Sequence, residues 1–294
     1  MTKIDEAFNY ANGGNEFYTR MRDVEKELSH YNFSNMIVYC NCDNPTRSNF
    51  YKYFKTNFKK LGLRKLLITY ISQIPILLEF DGINERKTPI GSGRFQDNED
   101  IIKMCDIVVT NPPFSNGMVI SLMDLIIGMG KKFIIVGPIS IITRKKVFDY
   151  VKSGFVRIGH TSINSFERED GTISNSATCW WTNMNVDKPI LSTNAYYNEE
   201  MYPKYDNCDA IDCGESKLIP MDYNGVMGVP IRFITIYNPK QFKLVGILNH
   251  PRINGKNIMS RLLIQKIGGL RESIKTIIIS ENSYNRIFKQ KKNR

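Results

Sequence analysis

Asp106-Ile107-Val108-Val109-Thr110-Asn111-Pro112-Pro113-Phe114 is the stretch that decides how this chain folds. The β-branched run Ile107–Thr110 reads as a short buried strand. The two prolines after it forbid both a helix and a sheet ladder. The chain must turn stiffly there, holding the Asn111 amide and the Phe114 ring at the carboxyl edge of a sheet. Open α/β sheets bind their ligands at that edge. The plainer alternative is a stiff loop with no further role, since prolines punctuate loops generally.

Strands and helices alternate on both sides of this stretch. Upstream, Phe17, Met21, Val24, Leu28 and Tyr31 recur at helical spacing, so Asn15–Thr19 is expected to open an amphipathic helix. Met36–Cys40 reads as a strand. Phe50, Phe54, Phe58 and Leu61 form a helical stripe that Gly62 can end. Lys65–Ile71 is the next strand, and Leu77–Phe80 with Lys87–Ile90 flank Asp81-Gly82 as a hairpin. Downstream, Met118–Met129 is an apolar helix and Phe133–Gly137 a strand. Thr143 is placed to cap a helix running to Lys152, with Gly154 as its stop. Phe155–Ile158 and Ala177–Trp181 read as strands. This alternation predicts a doubly wound, mainly parallel α/β sheet. Past residue 185 the alternation gives way to Tyr, Asn, Asp, Pro and Gly. The expected organisation is a ligand-binding domain over 1–185 and a second region over 186–294. Short strands are expected at Ile231–Ile236, Phe242–Ile247 and Ile258–Ile264, with a tight turn at Ile253–Lys256.

The chain's 294 residues suit one large α/β domain with an attached region. With 42% hydrophobic and 23% charged residues, its composition is that of a soluble protein. No apolar stretch reaches membrane-spanning length, and the N-terminus has no signal-like apolar core, so a cytoplasmic location without membrane is expected. A net charge of +11 favours a polyanionic partner, nucleic acid first. Basic residues cluster in Lys52–Lys65, at Lys131-Lys132, at Arg144-Lys145-Lys146 and in the tail Lys289–Arg294. The cysteines form no Cys-x-x-Cys pair and the three histidines are scattered, so no metal site is expected. His160 and His250 read as loop or surface residues, and Trp180 and Trp181 as strand packing.

The loop after the Met36–Cys40 strand, Asn41-Cys42-Asp43-Asn44-Pro45, is where doubly wound folds hold a nucleotide-like ligand. A glycine-rich fingerprint is missing. Asp43 can contact a cofactor amino group or ribose; alternatively Asp43 or Ser48 simply caps the following helix.

Asn-Pro-Pro-aromatic after a strand resembles the catalytic motif of S-adenosylmethionine-dependent amino methyltransferases. NEFYT at 15–19, VYCNCDNP at 38–45, SNFYKYF at 48–54, YPKYDNCDAI at 202–211, PMDYNGVMGVPIRF at 220–233 and NPKQFKLVG at 238–246 extend the match along the chain in order. Together these segments resemble the EcoRI-type adenine-specific DNA methyltransferases. The resemblance implies a Rossmann-like cofactor fold, S-adenosylmethionine, double-stranded DNA, an N6-methyladenine product and target recognition in the C-terminal part. It makes Asn111, Pro112, Pro113 and Phe114 the catalytic candidates. It makes Glu16, Phe17, Tyr18, Thr19, Asn41, Cys42, Asp43, Ser48, Asn49, Phe95 and Asn111 the cofactor candidates. Arg144, Lys145, Arg168, Lys204 and Arg232 are the candidate DNA contacts. A cognate restriction endonuclease is a candidate partner. A monomer is expected, because modifying one strand per encounter needs no twofold symmetry.

The implied chemistry accounts for the residue types. An exocyclic adenine amine is a poor nucleophile, because its lone pair is delocalised into the ring. Acceptors at the Asn111 side-chain oxygen and the Pro112 carbonyl favour a more tetrahedral nitrogen, as preorganised dipoles. Phe114 can stack on the base, an interaction worth roughly 1–3 kcal/mol. That offsets part of the few kcal/mol needed to flip a base out of the duplex. The chain departs from the family pattern at Gly91–Phe95, where Ser92 and Arg94 stand in place of acids. RNA amines and protein glutamine are alternative acceptors for this motif type, and a non-catalytic cofactor- or DNA-binding protein is a third reading.

Overall fold

The structure, a computed structural model, describes residues 17–41, 44–70, 74–113, 117–168 and 170–267. It divides into two compact units. One is drawn from Met1–Pro138 and Arg157–Asn185, the other from Ile139–Val156 and Val186–Arg294.

The first unit is built on a mixed ten-stranded sheet. Its strands are β1 (Phe17–Thr19), β2 (Ile37–Asn41), β3 (Lys65–Tyr70), β4 (Ile76–Phe80), β5 (Glu85–Pro89), β6 (Ile107–Thr110), β7 (Lys132–Pro138), β8 (Arg157–Ile158), β9 (Ile163–Arg168) and β10 (Ile173–Thr182). The order is β1-β9-β10-β7-β6-β2-β3-β4-β5, with β8 beside β10. The expectation of a mainly parallel sheet is corrected. Only the central block β7-β6-β2-β3 is parallel, and every other pairing is antiparallel. The physical reason is in the connections. Helices carry the chain between the parallel strands, while short hairpins such as that at Asp81–Asn84 can only reverse it. All four residues of β6 are buried, as its unbroken β-branched run requires.

The helical stripe of the first unit forms Asn49–Thr56 and Phe58–Leu61, and Gly62 ends it in the left-handed region at φ 64°. Phe50 and Phe54 are buried, and Phe50 meets Trp180 edge-on. The first helix is shorter than its periodicity suggests. It runs over Met21–Leu28, and Phe17–Thr19, expected to open it, is instead the edge strand β1, paired antiparallel with Phe166–Arg168.

The second unit holds a five-stranded sheet in the order β11-β12-β13-β17-β14 and a small β15–β16 hairpin. These strands are β11 (Lys204–Tyr205), β12 (Cys208–Asp212), β13 (Met227–Pro230), β14 (Phe242–Leu248), β15 (Arg252–Ile253), β16 (Lys256–Asn257) and β17 (Arg261–Lys266). Asn254 and Gly255 both have positive φ, as a two-residue hairpin turn demands. Half-buried Asp212 accepts from Tyr205 and from Arg261 Nε at 2.8 Å. Ile231–Thr235, expected to be a strand, is a 3-10 turn that starts directly after Pro230. Ile139–Thr143 packs on that turn. The helix Lys145–Lys152 follows, but Thr143 does not cap it; the Thr143 hydroxyl donates to the Ser140 carbonyl at 2.8 Å. No helix among the described residues is long and apolar enough to cross a membrane.

Candidate active site

The site forms at the carboxyl ends of β6 and β2, neighbours in the parallel block. The Thr110 hydroxyl donates to the Asn41 carbonyl and ties the two strand ends together. Asn111 follows at once, with Pro112 buried and Pro113 half-buried behind it. Asn111 Nδ2 donates to the Phe17 carbonyl at 2.6 Å. Asn111 Oδ1 is buried and has no hydrogen-bond partner.

The Phe17 contact is not what strand order alone would give. β1 stands four places from β6. In a flat sheet four spacings of about 4.8 Å would hold them roughly 19 Å apart. The β9–β10 ribbon must therefore curl over the strand ends and carry β1 with it. The β9–β10 pairing shifts register between Asn175 and Thr178, and such bulges bend and twist a ribbon. Asn49 fixes the other end of β1 by donating from Nδ2 to the Thr19 carbonyl at 2.8 Å.

Two more buried polar groups here lack partners. Asn41, 1% exposed, has neither its amide oxygen nor its amide nitrogen paired, and the Thr19 hydroxyl is likewise unpaired. A buried polar group left unpaired costs about 1–3 kcal/mol, and native proteins keep few of them. Uncharged donors and acceptors gathered at a sheet's carboxyl edge suit a polar ligand whose own groups complete the pairing.

Phe17, Thr19, Asn41, Asn49 and Asn111 are thus brought together. Tyr18 lies beside them under the Arg47 guanidinium, 5.9 Å from the ring centre. Ser48 is buried and its hydroxyl accepts from Tyr51 N at 3.2 Å, so it caps the Asn49–Thr56 helix. Phe95 is buried in a 3-10 turn over Phe95–Asp97, which packs on the helix Met118–Gly128 that follows the Asn-Pro-Pro motif. Asn98 braces this turn by donating to the Ser92 and Arg94 carbonyls. Ser92 donates to Asp97 at 2.7 Å, which places an acid beside the positions where the sequence showed none. Glu16, Cys42, Asp43 and Phe114 lie outside the described residues. The sequence reading missed Thr110 and Arg47. A lone hydroxyl closing an apolar run was the available signal for Thr110; nothing local pointed to Arg47.

The basic candidates are spread. Arg168 lies over the Phe17 ring at 5.5 Å and donates to Ser174. Arg144, Lys145, Lys204 and Arg232 are exposed on the second unit. Lys145 pairs with Asp149 at 2.5 Å and Lys204 stands 3.9 Å from Glu199. Arg144 directly follows Ile139–Thr143, the segment that packs on the turn bearing Arg232.

A family model described as adenine-specific methyltransferase EcoRI matches residues 7–91 and 78–292. The chain is 39% identical over 304 aligned residues to the type II methyltransferase M.EcoRI of Escherichia coli, covering 85% of this chain and 92% of that protein. It is 35% identical over 303 residues to the type II methyltransferase M.MgeORF184P of Mycoplasma genitalium, covering 90% and 95%. It is 35% identical over 269 residues to the type II methyltransferase M.MpnI of Mycoplasma pneumoniae, covering 81% and 83%. No solved structure matches the chain.

Proposed function

The chain belongs to the EcoRI family of adenine-specific methyltransferases, and from that premise we propose that it methylates the N6 amine of an adenine flipped out of double-stranded DNA. S-adenosylmethionine, when bound, supplies an electrophilic methyl group. The observation that carries the reading is the state of Asn111. Its nitrogen is committed to the Phe17 carbonyl, and its oxygen is buried and unpaired. An exocyclic amine is a donor of the kind that oxygen lacks. Asn111 Oδ1 and the Pro112 carbonyl take the two amine hydrogens in hydrogen bonds, which concentrates the lone pair on nitrogen. As the N–C bond forms and the donor's methyl–sulfur bond breaks, these acceptors meet growing positive charge on nitrogen with dipoles already in place, and the nitrogen then sheds one of its hydrogens as a proton to solvent. Phe114 stacks on the flipped base.

The unpaired Asn41 amide and Thr19 hydroxyl fit the polar groups of the cofactor, with Phe17, Tyr18 and Asn49 completing that wall. Glu16, Cys42, Asp43 and Phe95 are assigned to the same subsite. The first unit, a doubly wound methyltransferase core in this reading, carries the chemistry. The second reads the DNA target, with Arg144 and Arg232 the foremost phosphate or base contacts. The net charge of +11 favours DNA over a protein glutamine as acceptor. A monomer acting in the cytoplasm, beside a restriction endonuclease of the same site, completes the proposal.

Asn111→Ala tests it. Methyl transfer to unmethylated genomic DNA is expected to fall about 10²–10³-fold at saturating S-adenosylmethionine. Activity that survived the substitution would overturn the mechanism.

A further inference from the structure

We propose that the open edge of β1 locks the flip state of the Asn111 amide, and that Asn49 is the positioning residue that holds this lock in place. The inference rests on the methyltransferase reading and concerns what makes its central acceptor point the right way.

An asparagine amide is nearly symmetric in shape, and a half-turn exchanges its oxygen for its NH₂. Only one of the two states can serve the reaction. With Oδ1 outward the amide accepts from an exocyclic amine; with Nδ2 outward it sets one donor against another. Nothing in the shape of the Asn111 side chain chooses between them. The choice comes from Phe17. Its carbonyl accepts from Asn111 Nδ2 at 2.6 Å. A flipped amide would set two oxygens at that distance with no proton between them, so the flipped state is disfavoured.

A carbonyl can act as a lock only if it is itself fixed, and β1 is just three residues long. β9 holds one edge of it through the register Phe17–Arg168, Tyr18–Glu167 and Thr19–Phe166. In a strand the carbonyls of residues i and i+2 face the same edge. The Phe17 and Thr19 carbonyls are both taken by asparagine amides, from Asn111 and Asn49. Two side chains therefore do along this edge what a partner strand does elsewhere. Asn49 is held in turn as the first residue of a helix capped by Ser48. The line of support runs from that helix through Asn49 to β1, and through β1 to the orientation of Asn111.

Asn111→Asp reads the lock through pH. An aspartate here places a carboxylate oxygen against the Phe17 carbonyl. Only the protonated acid can donate to that carbonyl and still offer its second oxygen to the amine. Charged groups on the elements packed around Asn111 include Arg168 over the Phe17 ring, Arg47 over the Tyr18 ring, Glu167 paired with Tyr18 across β1–β9, and Arg20, which donates to Ser165 of β9. Single-turnover methylation of unmethylated genomic DNA would be measured from pH 5.5 to 8.5 with saturating S-adenosylmethionine. The ratio of variant to wild-type rate is expected to fall as pH rises, approaching tenfold per pH unit at the alkaline end. A ratio that stays flat, or a variant inactive wherever the wild type is active, would overturn the lock. Wild-type protein that transfers no methyl group to DNA would instead overturn the methyltransferase reading. Should Asn111→Asp lose its cooperative thermal transition, Asn49→Ala carries the test. It is expected to lower the single-turnover rate about tenfold, and an unchanged rate would refute the proposal.

Discussion

Asn41 shows how a single residue can reveal a purpose through what it lacks. It closes a strand whose Val38, Tyr39 and Cys40 pack into the core, yet neither end of its amide finds a partner. A leucine, with the same branched outline and no polar atoms, would remove a penalty of roughly 1–3 kcal/mol. Asn41→Leu is therefore expected to raise the thermal midpoint of the free protein by a few degrees. A ligand that pairs with this amide stabilises the native state by mass action, so the rise in midpoint produced by S-adenosylmethionine should largely vanish in the variant. If the cofactor-induced rise kept its full size, Asn41 would not belong to the cofactor site.

Among the elements, the curled ribbon of β1, β9 and β10 depends on Glu27. This residue is fully buried on the Met21–Leu28 helix. Its carboxylate accepts from the Tyr31 hydroxyl at 2.6 Å, from His160 N at 2.8 Å, and from the backbone and hydroxyl of Thr161, both at 2.6 Å. The helix that follows β1 is thus tied to the loop that precedes β9, and both arms of the ribbon share one anchor. Glu27→Ala would leave the buried Tyr31 hydroxyl and three half-buried donors of His160 and Thr161 without their acceptor and should destabilise the first unit by at least about 3 kcal/mol in urea unfolding. A loss below about 1 kcal/mol would contradict this role. Such elements also show the reach of sequence reasoning. β6, β2, the Asn49–Leu61 stripe and both hairpin turns were legible, because burial period and turn chemistry are local properties. β1 was not, because its partner lies about 150 residues away and its own three residues carry no distinctive period. Glu27 was invisible for a related reason: a charged side chain on an amphipathic helix reads as solvent-facing until its donors arrive from Tyr31 and from His160 and Thr161. At the site, Asn111 was legible from its prolines and Asn41 from its place in the loop after a central strand, and Thr19 only through family resemblance. Their lack of partners is a fact of three dimensions.

At the scale of the whole molecule, each unit buries a thiol that resists ionisation. Burial pushes Cys105 in the first unit and Cys213 in the second up to about 12. In an unfolded chain a thiol titrates near about 8.5. A folded pKa above the unfolded one gives stability that is complete below about pH 8.5 and is lost as pH climbs toward about 12. Each thiol then removes about 1.4 kcal/mol per pH unit. Tyr31 and Tyr205 are also raised, first by burial and then by neighbouring Glu27 and Asp212, and they add to the loss above about pH 10. Urea midpoints should be lower at pH 10 than at pH 8; equal midpoints would show that these groups do not govern alkaline stability.

The division into units follows the sequence only in part. Ile139–Val156 belongs to the second unit, yet in the chain it sits between β7 and β8 of the first. Its Val147, Phe148 and Val151 are buried, and Lys152 reaches the Val245 carbonyl at 3.3 Å. A cut after residue 185 would leave that segment without the chain it folds with. The same holds for genetic exchange. A single recombination crossover either parts the second unit's two pieces or carries Arg157–Asn185 of the first unit along with them, so a hybrid gene that exchanges the second unit alone must be spliced at three places.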